Sequence, residues 1–135
     1  MSQTDLDMKS TKDKQDICSE VLVLDKSIRF VGLANRLGRL VDSAYRPGLM
    51  PLLKKAETEQ YAVQAATRML TRESFEPKLG KLRHAIGTYD RLIRATIALP
   101  SNDIDHPNFL LVSFDPGADA TAIVENKILP LMKGI

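Results

Sequence analysis

The stretch from Ile28 to Tyr45 constrains this chain more than any other. Two runs rich in β-branched, aliphatic and aromatic residues, Ile28 to Ala34 and Arg39 to Tyr45, flank Asn35, Arg36, Leu37 and Gly38. Such a pattern predicts a β-hairpin. The turn residues suit a type I turn with Gly38 in the left-handed conformation, the usual three-residue hairpin loop. In the first strand Ile28 and Phe30 are expected on one face, Val31 and Leu33 on the other. Both faces are apolar, so both should be covered. Gly32 leaves room for close approach of another element, such as a helix. The second strand alternates Leu40, Asp42 and Ala44 against Val41, Ser43 and Tyr45, and its polar residues mark an edge or partly exposed strand.

The rest of the chain supplies elements to pair with that hairpin or cover it. Residues 1–12 read as a disordered polar tail, and 13–135 as a single domain. Lys12 to Asp25 is a predicted helix with Ile17, Val21 and Leu24 on one face and Cys18 beside them. After a loop over 46–55, with Leu49, Met50, Leu52 and Leu53 expected against the core, comes a central helix from Ala56 to Ser74. Its apolar residues Tyr61, Ala62, Val63, Ala65, Ala66, Met69 and Leu70 cover an arc of roughly 200° at 100° per residue. One sheet needs only somewhat over about 100°, so this arc is read as a surface for a second copy of the helix. Against that stands the ordinary tolerance of small residues at a surface. Pro77 should stop the helix at Glu76, with a turn over Lys78 to Gly80.

Three strands follow. Lys81 to Thr88 places Leu82, His84 and Ile86 on one face and Arg83 and Ala85 on the other. Arg91 to Leu99 turns Ile93, Ala95, Ile97 and Leu99 to the core. Phe109 to Phe114 is apolar on both faces apart from Ser113, as a central strand is. Asp119 is the expected N-cap of a last helix, and Pro130 should end or kink it near Leu129. The order α-β-β-α-β-β-β-α makes this an α+β chain.

Composition excludes several classes. With 44% hydrophobic and 27% charged residues among 135, the chain can bury a core and is not a disordered polyelectrolyte. No apolar run approaches a membrane span, and the first dozen residues hold no apolar block of the secretory kind. A lone Cys18 fits a cytoplasmic setting. It reads as a small buried residue. The net charge of +2 is unevenly spread: residues 28–94 hold thirteen basic and six acidic groups, both flanks being acidic on balance. A basic middle attracts acidic surfaces, but no dense basic cluster or set of stacking aromatics supports a nucleic-acid partner.

No catalytic or cofactor motif stands out. There is no G-x-S-x-G elbow, phosphate loop or dinucleotide fingerprint. His106 with Asp103 and Asp105 reads as a solvated loop, since nothing supplies a fixed metal geometry. The turn from Asp115 to Asp119 has the layout of an anion site, but its own carboxylates would repel an anion, so it reads as a cap. Arg83 and Arg94 are expected on one face of a hairpin. There they either line a small anionic-ligand or partner contact beneath the central helix or pair with surface carboxylates.

The run Val31 to Val41, a strand, a glycine-containing turn and a second strand, together with the element order, resembles the roadblock family of dynein-light-chain-like domains, within the wider profilin-like group. The likeness covers about residues 13–132. The chain is also similar to short uncharacterised archaeal proteins of the same pattern. The resemblance implies a five-stranded antiparallel sheet with helices on both faces, the central helix on one and the terminal helices on the other. It implies a homodimer formed through the central helix and the strand after it. It also implies a non-enzymatic scaffold or regulator of small GTPases, with no catalytic residue, metal or cofactor. The long 46–55 connection with two prolines departs from the pattern. It keeps open an alternative, a PAS- or profilin-like sensor with a small molecule between sheet and central helix. A third option uses the basic middle to bind a polyanion.

Overall fold

The computed structural model describes residues 17–100 and 106–133. Residues 1–12, the start of the first helix and the pair Asp103 and Asp105 lie outside them. Five strands, β1 (Ile28–Ala34), β2 (Leu40–Tyr45), β3 (His84–Thr88), β4 (Ile93–Ala98) and β5 (Phe109–Phe114), form one sheet in the order β2-β1-β5-β4-β3. Every pair is antiparallel. The fold is therefore the α+β class expected from the element order. β5 lies at the centre and all six of its residues are buried.

Helices cover both faces. Residues 17–22 are helical (α1) and pack with a C-terminal helix (α4) against Val31, Leu33, Ile93, Ala95, Ile97, Leu110 and Val112. α2 (Lys55–Glu73) packs on the other face, against Phe30, Ala34, Phe109 and Leu111. Cys18, on the inward face of α1, is fully buried. Burial, then the Asp42 carboxylate that accepts its S–H, pushes this thiol up to about 12. That contact explains a polar residue on the inward side of β2.

The hairpin turn forms as its residues dictate. Gly38 donates to the Asn35 carbonyl at 2.9 Å with φ +86, and the Asn35 side chain accepts from the amides of Leu37 and Arg39 at 3.0 Å each. Three local expectations are corrected. The register shifts between Ile28 and Phe30, so Ile28 joins Val31 and Leu33 on the α1 side while Phe30 faces α2. The space at Gly32 is taken by the Phe30 ring and the Leu40 side chain, not by a helix; the helix approaches at Gly38 instead. Met50 and Leu52 are exposed, and only Leu49 and Leu53 of that loop turn partly inward.

Around the prolines the chain also departs from its expected course. Glu76–Leu79 forms a short helix, α3, with Pro77 in its first turn, where a missing N–H costs nothing. Glu76 then accepts the Leu82 amide at 2.7 Å, which delays the start of β3 to His84. α4 does not end at Pro130. It runs as α-helix over Ala120–Ile123, as π-helix over Val124–Ile128, and as α-helix again over Leu129–Lys133. The wider turn, with Leu129 donating to Val124, reroutes the ladder ahead of a residue that has no N–H to give. Asp119 caps the helix as expected, accepting from Ala122 at 3.1 Å.

Charges fasten the ends of the sheet. Asp115 after β5 accepts from Arg29 at 3.0 Å and from Arg46 at 2.9 Å. Asp25 before β1 accepts from Ser27 and from Lys127 of α4.

Two predictions arise here. A Cβ at Gly38 would sit 2.5 Å from the Val63 Cα on top of a positive φ, so Gly38→Ala should cost about 2–4 kcal/mol in urea unfolding. Gly48→Ala, with positive φ but open space, should cost only about 1 kcal/mol. Second, hydrogen bonds from Ser27, then Lys127, lower Asp25 to about 2, and Arg46, then Arg29, lower Asp115. These carboxylates bind protons more weakly folded than unfolded. Their contribution is therefore complete above the unfolded value of about 4 and is lost as the pH falls through the lowered folded values, about 2 for Asp25. The urea midpoint should drop over that window, and Asp25→Asn should flatten part of the drop.

Candidate functional site

α2 determines what the molecule can offer a partner. Of the seven residues expected to face a second copy, Tyr61, Ala62, Ala65, Ala66 and Met69 are buried against the chain's own sheet. Leu70 is half-buried in the same cluster, and Val63 alone stands clearly out, 49% exposed. The wide apolar arc is therefore the inward face of the helix, with Val63 at its margin beside the hairpin turn. Alanines at 62, 65 and 66 seat the helix closely; they are not spare surface.

The outward face of α2 is different in kind. Gln60, Val63, Gln64, Thr67 and Thr71 are exposed there and none is charged. Thr67 and Thr71 donate their hydroxyls back to the carbonyls of Val63 and Thr67 at 2.9 Å each, which leaves their methyl groups outward. Past the exposed Arg68 and Arg72 on the flank of this strip lies β3, one of the two sheet edges. Ala98 donates to Arg83 and Tyr89 to Leu92. These bonds fix the phase of the β3–β4 ladder, so the amides of His84, Ile86 and Thr88 point to the free edge. β3 carries no Lys, Glu, Asp or Pro and pairs with β4 without a bulge. The β2 edge, in contrast, holds Asp42 and a register shift opposite Leu33 and Ala34. Charges, prolines and bulges are among the devices that protect an edge, and β3 lacks these three; its shortness, five residues, is the protection it has.

Between α2 and β3 runs an open cleft of about 310 Å³. Its floor is Arg94, whose guanidinium lies 3.6 Å over the Tyr61 ring. Burial raises the Tyr61 hydroxyl above its ordinary value, against the opposing charge of Arg94, a hydrogen bond to Thr96 and the charge of Arg68. Arg83 is not there. It precedes β3, and the alternation expected of it fails there, since Leu82 packs on the α2 side with Ala85; Arg94 sits opposite Gly87, four residues further along. The exposed Arg83 lines a separate cleft with Leu129 and Met132. The sequence reading thus joined two arginines that the fold keeps apart. It missed Arg68 and Arg72, whose spacing of four on α2 was the available signal.

No helix among the described residues is long and apolar enough to cross a membrane. No family model and no curated protein matches the chain. Solved structures do. A Roadblock/LC7 domain from Streptomyces avermitilis superposes with a TM-score of 0.67 at 15% identity, covering 89% of this chain and 92% of that one. The gliding protein MglB from Thermus thermophilus gives 0.61 at 14% identity, covering 89% and 82%. An MglB with a tetrameric arrangement gives 0.63 at 14%, covering 88% and 78%. These likenesses carry no archaeal link. Across nearly the whole chain they establish one thing, that this protein has the fold of the roadblock/LC7 domains.

Proposed function

We propose that the protein is a non-enzymatic interaction module that self-associates through the β3 edge and the uncharged outer strip of α2, and that the resulting pair serves a regulatory partner of the small-GTPase class. The observation that carries this reading is the regular, uncharged edge of β3, with the uncharged outer strip of α2 beyond it and Arg68 and Arg72 on the flank between the two. In a chain with 27% charged residues, such a strip has the charge depletion of an interface core. The fold supports the same reading: the roadblock likeness implies pairing through these two elements, and one solved neighbour has a tetrameric arrangement. The GTPase partner rests on the family resemblance and the fold.

The sensor reading gains nothing beneath the 46–55 loop, where the space between sheet and α2 is about 40 Å³, room for only two or three waters; a larger opening between α2 and the sheet is the cleft beside β3.

Light scattering and sedimentation equilibrium at high micromolar concentration test the proposal. The parent should be a dimer. Thr88→Pro removes an outward amide without touching the β3–β4 ladder, and should weaken the dimer by about tenfold or more, about 1.4 kcal/mol, with the unfolding midpoint little changed. Val63→Glu sets a charge in the outer strip of α2 at an exposed position, and should also weaken the dimer. Ala66→Glu would bury a carboxylate in the core and unfold the chain, so it is no probe of assembly. A monomeric parent, or a Thr88→Pro dimer as tight as the parent, would overturn the reading.

A further inference from the structure

The cleft between α2 and β3 collects cations that the chain does not neutralise. Arg68 and Arg72 stand one turn apart on α2, and Arg94 rises from β4 between them and the Thr96 hydroxyl. No residue lining the cleft is acidic. Among the described residues, ion pairs join Arg29 and Arg46 to Asp115, Arg36 to Glu73 and Lys127 to Asp25. None of them includes Arg68, Arg72 or Arg94.

Arg94 is the preorganised member. Its guanidinium is stacked 3.6 Å over Tyr61 and lies 5.7 Å from the Tyr89 ring, which fixes the plane of the fork. Its Nε is buried and has no acceptor, a state that costs free energy. A fixed planar guanidinium fits an oxyanion, which it binds through paired N–H bonds. Arg68 and Arg72 stand on the opposite wall to complete the charge. A volume of about 310 Å³ has ample room for a phosphate group with a small substituent.

We infer that this cleft binds a small dianionic phosphate compound, held by Arg94 from the sheet and by Arg68 and Arg72 from α2. Inorganic phosphate and the phosphate group of a small monoester share that chemistry. The site lies within one protomer and does not rest on self-association.

Calorimetric titration of the full chain with inorganic phosphate and with glycerol 3-phosphate, against chloride at equal ionic strength, tests it. Saturable binding of one anion per chain is expected. The double variant Arg68→Gln/Arg72→Gln, altered only at exposed positions, should unfold at the parent's temperature and bind about tenfold more weakly or worse. Arg94→Lys keeps the charge, loses the fork, and should also weaken binding. Arg83→Gln should bind as the parent does. Tighter binding of the ester assigns the ligand to small phosphate esters; equal affinity assigns it to free phosphate. No heat beyond that of chloride would overturn the inference, as would an Arg83→Gln variant weakened as much as the double variant. Oligomeric state is read separately by light scattering, so the loss of either result leaves the other standing.

Discussion

The seating of α2 on the sheet is the contact on which the rest depends. Ala62, Ala65 and Ala66 alternate with Tyr61 and Met69, and this face meets Phe30, Ala34, Phe109 and Leu111. Small side chains let a helix come close, and the aromatic and thioether groups fill what remains. The hairpin turn closes on the same helix, since Gly38 has no Cβ to keep it from the Val63 backbone. Arg36 then reaches Glu73 at 3.0 Å and fastens the turn to the helix end. A helix held this tightly spends its apolar surface inside the protomer. Whatever α2 presents outward is therefore polar or uncharged, and a partner must gain affinity from backbone pairing or from charge.

The parts legible in the sequence were those whose determinants are local. Asn35 and Gly38 specify their turn through side-chain and backbone chemistry within four residues. Asp119 caps its helix for the same reason, and β5, apolar on both faces apart from Ser113, reads as a central strand. The parts that were not legible depend on a partner element. A bulge such as that between Ile28 and Phe30 is a two-against-one count across a ladder, so one strand's pattern does not contain it. Alanine on α2 is equally at home on a wet surface or in a close seat, and only the opposing sheet decides. Whether Arg68 meets Arg94 depends on which flank of α2 lies over β3, which no helical wheel reveals.

The distribution of charge takes on a sharper meaning in three dimensions. The central segment's excess of basic groups reads as one diffuse feature along the chain. In the fold it separates. Arg29, Arg36 and Arg46 are used internally, holding β1, the hairpin turn and the end of β2 to carboxylates. Arg68, Arg72 and Arg94 are left to converge on one cleft. Internal pairing of the first set leaves the second as the cluster of arginines that lines one cleft, while Arg39, Lys54, Lys55, Lys78, Lys81, Arg83 and Arg91 stand exposed elsewhere on the surface.

The two edges of the sheet differ in the same selective way. β2 is blunted by its register shift and by Asp42. β3 is short, regular and bare of charge. A sheet open at both edges can add copies without limit. A sheet open at one can pair once, edge to edge about a two-fold axis, and is then closed. An antiparallel β3 pair satisfies that geometry, because each strand offers the same outward amides at His84, Ile86 and Thr88 to its copy. The asymmetry of the edges thus favours a finite assembly over a fibre. It also places the arginine cleft at the rim of the edge through which that assembly would form.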